Sequence, residues 1–176
     1  MTFFTTLRKM LDRLYVAGGV IAALFLIAIL VLIVLQMLAR WTGEVFPGAP
    51  DYAGYCMAGA SFFSFAYALN NGAHIRVSIV LNALGRWRRW GEVWCFSIGA
   101  LLATYFAWYA VKATYWSKLL NDVSQGQDAT PIWIPQLSMS IGSVILAICF
   151  WDNLARLLFM GSHAIKNTQI EESEQE

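Results

Sequence analysis

Four stretches of this chain carry no charged side chain: residues 14–39, 52–73, 93–111 and 129–151. A helix rises about 1.5 Å per residue and the hydrocarbon core of a bilayer is about 30 Å thick, so each stretch is near or above the roughly 20 residues a span needs. In lipid every backbone N–H and C=O must be satisfied internally, which leaves only helices and closed barrels. Barrel segments alternate lipid-facing and lumen-facing residues over about ten positions, whereas these runs are continuously apolar. The pattern predicts an all-α integral membrane protein with four transmembrane helices over about 14–39, 52–73, 93–115 and 132–155, forming one domain over 1–166. Composition agrees, with 59% hydrophobic and only 13% charged residues. The first run is too long for the roughly 7–15-residue core of a signal peptide. It ends in "LQMLARWTGE" without a small-residue cleavage site, and is expected to be a permanent anchor.

Lysine and arginine are retained on the cytoplasmic side of short connections. Arg8, Lys9 and Arg13 precede the first span, Arg76, Arg86, Arg88 and Arg89 lie between the second and third, and Arg156 and Lys166 follow the fourth. Only Arg40 and Lys118 fall in the other two connections, while Lys112 near the outer end of the third span can snorkel. This asymmetry predicts that both termini are cytoplasmic.

The connection between spans two and three has a second property. On a helical wheel Ser78, Asn82, Arg86 and Arg89 fall on one side, with Val80, Ala83, Leu84, Trp87 and Trp90 towards the other. An amphipathic interfacial helix over about 76–90 is expected, with Arg86, Arg88 and Arg89 toward anionic lipid phosphates and Trp87 and Trp90 at headgroup level. Asn70, Asn71 and Gly72 supply the break before it. The acidic tail 167–176 lacks the apolar residues needed to fold.

Catalytic and coupling signals are missing from the sequence. None of the eleven acidic residues lies in mid-span, where ion-coupled transporters place ionisable groups. His74 and His163 fall on or beyond the cytoplasmic edge, which argues against haem held within a bundle. Cys56, Cys95 and Cys149 have no CxxC spacing and suit buried apolar positions. There is no phosphate loop, HExxH or GxSxG. The sequence predicts neither an enzyme nor a cofactor or metal site in this chain.

Packing signals are better developed. Ala60, Ser64, Ala68 and Gly72 recur every four residues in the second span, and Gly99, Ala103 and Ala107 do so in the third. Small stripes let membrane helices approach closely, within the chain or against a partner. Gly18 and Gly19 suit the same purpose in the first span. Trp41, Tyr115, Trp116 and Trp133 are expected at the outer boundary and Tyr15, Trp87, Trp90, Trp94 and Trp151 at the inner one, as interfacial anchors. Trp108 and Tyr109 lie a turn or two inside and are expected to pack on neighbours. Thr130 and Pro131 look like a helix cap followed by a first-turn proline, and Pro135 suggests a short turn before the fourth helix proper.

Two segments carry a family likeness: "NNGAHIRVSIVLNAL" after the second span and "SQGQDATPIWIPQLSMSIGS" leading into the fourth. Through His74, Ile75, Arg76 and Val77 together with Pro131, Trp133, Pro135 and Gln136, the chain resembles the small membrane subunit, DctQ-type, of tripartite ATP-independent periplasmic (TRAP) transporters. Length, span number and the spacing of both segments fit that likeness. Ser78 departs from it, since relatives often place an acidic residue there.

The resemblance implies a partner assembly. A large membrane subunit would carry sodium and solute by an elevator-like movement, a periplasmic binding protein would deliver an organic-acid-type solute, and the small subunit would be a fixed scaffold in the bacterial inner membrane. It would assign His74 and Arg76 to ordering the cytoplasmic turn, and Asp122, Gln127 and Asp128 to contact with the binding protein. No nucleic-acid partner is implied. A stand-alone tetraspan scaffold and a haem-binding membrane subunit are the rival classes.

Overall fold

The computed structural model describes residues 2–44, 46–71, 88–126 and 129–160. It contains four helices: α1 (Thr2–Thr42), α2 (Ala49–Asn70), α3 (Arg88–Leu120) and α4 (Trp133–Met160). The segments 8–42, 90–120 and 133–158, in α1, α3 and α4, are long and apolar enough to cross a membrane. The second expected span, α2, does not join them on that measure, because alanine, glycine, serine and tyrosine stand where the others have aliphatic side chains. Helices α1, α3 and α4 also overrun the expected spans at both ends or at one. Residues 72–87, which take in most of the expected interfacial helix over 76–90, and the expected tail 167–176 lie outside the described residues. The last three positions of that expected helix, 88–90, belong to α3.

The helices form an open row in the order α1, α2, α4, α3, each packed along its neighbour. Residue pairings give their directions. Gly18 abuts the Phe63 carbonyl and Gly59 abuts the Phe25 ring, so α1 and α2 are antiparallel. Gly142 meets Phe62, and Cys149 Sγ contacts the Ala66 carbonyl at 3.6 Å, so α2 and α4 run parallel. Gly99 faces Phe150 while Thr114 bonds to Ser140, so α4 and α3 are antiparallel. The stacked Phe62 and Phe106 rings, 5.9 Å apart, bridge α2 and α3 on one broad face.

Spacing explains why the edge helices hold. Beyond Glu92, itself buried near the start of α3, the buried residues of the helix are Ala100, Ala103, Ala107, Ala110, Thr114 and Ser117. Steps of three and four alternate along these six, the 3.5-residue repeat of a two-helix seam. All six are small, so the backbones approach closely. Helix α1 repeats the pattern through Leu11, Tyr15, Gly18, Ala22 and Phe25, all buried or half-buried. Beyond that point its surface opens, and Leu30, Val31, Val34 and Leu38 are exposed.

Several expectations change. Tyr15 is not an interfacial anchor but completely buried, covered by Leu69 and Cys149. Trp108 and Tyr109 stay largely exposed, Tyr109 meeting the Tyr105 ring one turn away on its own helix. Among the cysteines only Cys149 is buried, and Cys95 is exposed. Helix α4 begins at Trp133, two residues after the proline expected to open it.

Candidate partner interface

In a row of helices the functional surfaces are the seams, the two ends and the broad faces. At the end holding Asp12, polar groups gather under the apolar cover. Arg156 Nη2 lies 2.5 Å from Asp152 Oδ2, one turn away on α4, and 3.9 Å from Asp12 on α1. Arg156 is thus a buried ion-pair partner inside α4 and not a loop charge, contrary to the expectation from topology counting. One turn earlier Asn153, fully buried, donates to the Cys149 carbonyl at 2.9 Å. Tying a guanidinium to carboxylates from two helices joins α1 to α4 here, and removing Asp152, the nearer and more buried of the two, would leave the Arg156 charge poorly compensated.

The opposite end is closed by the connection between α3 and α4. Ser124 N–H donates to the Thr130 carbonyl and Ile132 N–H to that of Asp122, at 2.7 and 3.0 Å, around an isolated antiparallel bridge between Val123 and Pro131. With Pro131 held in that bridge, α4 begins only at Trp133 and not at the Thr130–Pro131 pair. Pro135 falls in the first turn, where no intrahelical N–H partner is lost, and its carbonyl accepts the Ser138 hydroxyl at 2.7 Å. The loop docks on α2 through the Tyr55 hydroxyl, which donates to Ser124 Oγ at 2.7 Å, while Gly126 packs against the Asp51 carboxylate. Gly48, at φ 76°, makes the tight turn that starts α2.

The residues expected at this end divide. Pro131 is in the bridge, and Trp133 begins α4 with Lys118 Nζ 5.5 Å above its ring. Gln136 receives the Thr114 hydroxyl on its carbonyl at 3.3 Å, and its side-chain Oε1 is buried without a partner among the described residues. Asp122 is exposed, and its carboxylate accepts from Ser117 at 3.4 Å. Gln127 and Asp128 lie outside the described residues.

The expected seam residues fall in different places in the row. Ala103 and Ala107 are buried with Ala147 in the α3–α4 seam, and Gly99 seats the Phe150 ring. On α2 the buried line runs through Gly59, Ala60, Phe63, Ala66 and Leu69. Ala60 belongs to it, while Ser64 and Ala68 are half-buried beside it and Gly72 is outside the described residues. The strict four-residue spacing drifts off a 3.6-residue face, and the buried line corrects by steps of three. Sequence reasoning missed Gly142, which meets the α2 backbone, although it stands among the small residues Ser140, Gly142 and Ser143.

Between α2 and α3, His74, Arg76, Arg86 and Trp87 are outside the described residues, Arg88 and Arg89 are the first two positions of α3, and Trp90 follows, exposed.

Residues 29–160 match the family described as "Tripartite ATP-independent periplasmic transporters, DctQ component". No curated protein and no solved structure matches the chain.

Proposed function

Because this chain belongs to the DctQ component family of tripartite ATP-independent periplasmic transporters, we propose that it is the fixed scaffold of such a transporter, seating and stabilising an elevator-type large membrane subunit. The family is a transporter component and not an enzyme family, and its members work with a large TRAP membrane subunit and a periplasmic binding protein. With three membrane-capable helices the chain is a multi-pass membrane protein.

The observation that carries the scaffold reading is the match over 29–160, which takes in part of α1 and all of the other three helices. Charge placement supports it. The charged residues of the row stand near its ends, as in the Arg156, Asp152 and Asp12 cluster, and mid-span offers no carboxylate for a coupling ion. Sodium and the organic-acid-type solute would then be held by the large subunit.

Helix α2 is the fourth span in this reading. It packs lengthwise between α1 and α4, so it shares their depth, and a helix covered on both sides needs fewer aliphatic residues to remain in the membrane. Up-and-down directions then put both termini on one side, which the lysine and arginine asymmetry assigns to the cytoplasm of a bacterial inner membrane. Arg86, Arg88 and Arg89 hold anionic lipid on that side, and His74 and Arg76 order the turn. Asp122, Gln127 and Asp128 face the binding protein on the other.

The test is co-expression of the tagged chain with its cognate large membrane subunit, followed by purification in mild detergent. Equimolar recovery is expected. Isolation of this chain alone, beside a large subunit that is stable without it, would favour a stand-alone scaffold instead.

A further inference from the structure

The two edge helices of the row are both exposed, but their free faces differ chemically. Helix α1 presents Val20, Leu24, Ile27, Leu30, Val31 and Val34, all aliphatic and matched to lipid tails. Helix α3 presents Tyr105, Trp108 and Tyr109, exposed by 64%, 72% and 51%. Each carries a hydrogen-bond donor.

Their depth makes this costly in lipid. The uncharged part of α3, 93–111, matches a bilayer core of about 30 Å. From its midpoint Tyr105 is displaced by only about 5 Å and Trp108 and Tyr109 by about 10 Å, at 1.5 Å per residue. Helical side chains lean toward the N-terminus of their helix, so these three lean toward the bilayer centre and away from the nearer interface. Reaching water by snorkelling is therefore unfavourable for them. The phenol rings of Tyr105 and Tyr109 lie 4.6 Å apart, and a bond between their hydroxyls still leaves one proton of the pair without an acceptor. Among the described residues no acceptor meets Trp108 Nε1. By contrast, Trp151 Nε1 of α4 donates to the Thr104 hydroxyl of α3 at 3.0 Å, one turn from Trp108.

We infer that the free face of α3 around Tyr105, Trp108 and Tyr109 is the surface on which the large membrane subunit docks, by presenting hydrogen-bond acceptors at mid-membrane depth, while α1 faces lipid. Unsatisfied donors in hydrocarbon are strongly disfavoured, whereas a polytopic partner supplies backbone carbonyls or polar side chains there. The inference rests on the subunit reading above.

A benzophenone side chain introduced at Tyr105 or Trp108, or for comparison at Leu24 or Ile27, tests it in the full chain co-expressed with its cognate large subunit. Irradiation in membranes should give an adduct of the two proteins from Tyr105 and Trp108 and none from Leu24 and Ile27. Adducts from α1 and not α3, in a complex that still co-purifies, would overturn the inference and leave the subunit reading standing. Failure to co-purify would remove both. As a second readout, Tyr105→Phe combined with Tyr109→Phe keeps both rings. It should lower recovery of the large subunit about fivefold, the loss of one net hydrogen bond; unchanged recovery counts against the docking chemistry.

Discussion

Gly142 on α4 lies so close to Phe62 on α2 that a methyl group added to it would stand 2.7 Å from the Phe62 carbonyl carbon and oxygen. Two backbones meet there, and backbone cannot swing aside as a side chain can. Gly142→Ala should therefore destabilise the fold by about 1–3 kcal/mol, the usual cost of overpacking. Gly54 on α2 has open space around it, and Gly54→Ala should be neutral or slightly stabilising. Thermal unfolding of both variants in one detergent separates these effects.

The seam between α3 and α4 should be as intolerant of bulk. Ala103 and Ala107 are buried against Ala147, so Ala103→Leu is expected to cost about 1–3 kcal/mol. At Leu101, exposed on the same helix, a change to alanine should have little effect in detergent. Unfolding midpoints compare the two.

Arg156 and Asp152 form a largely buried pair. Removing one partner leaves the other charge stranded, so Asp152→Asn and Arg156→Gln should each destabilise by about 3 kcal/mol. The double variant should lose less than the sum of the singles, because the second change removes the charge stranded by the first. A double-mutant cycle on unfolding free energies measures the difference.

Tyr55 anchors the loop through Ser124. Tyr55→Phe removes one hydrogen bond of about 1 kcal/mol and frees the loop without disturbing α3 or α4. Limited proteolysis should cut within residues 121–132 several-fold faster in the variant, while the unfolding midpoint moves little. An unchanged cutting rate would show that other contacts hold the loop.

How far the sequence reaches depends on whether a feature is local. Three of the spans follow from runs of apolar residues, and the α3 seam from small residues such as Ala103 and Ala107 at helical spacing. Tyr15 misled because an aromatic near a span boundary has the same sequence signature whether it meets headgroups or, as here, is roofed by Leu69 and Cys149 from other helices. Arg156 misled in the same way: its charge was counted toward a loop, although Asp152 four residues before it is the spacing of a helical ion pair. The helix start expected at Thr130 and Pro131 moved to Trp133, where a tertiary feature, the bridge from Val123 to Pro131, keeps the proline in the loop. Gly142 was visible as a small residue, but which of Ser140, Gly142 and Ser143 meets α2 depends on how α4 is rotated. The family segments at Trp133, Pro135 and Gln136 were legible as a pattern, whereas the contacts that Lys118 and Thr114 make with them were not.

Solute uptake tests the central claim most directly. Proteoliposomes containing the cognate large subunit, with and without this chain, are supplied with the binding protein, labelled solute and an inward sodium gradient. The account predicts sodium-driven uptake when both membrane proteins are present and little or none with either alone. Full uptake by the large subunit in the absence of this chain would contradict it.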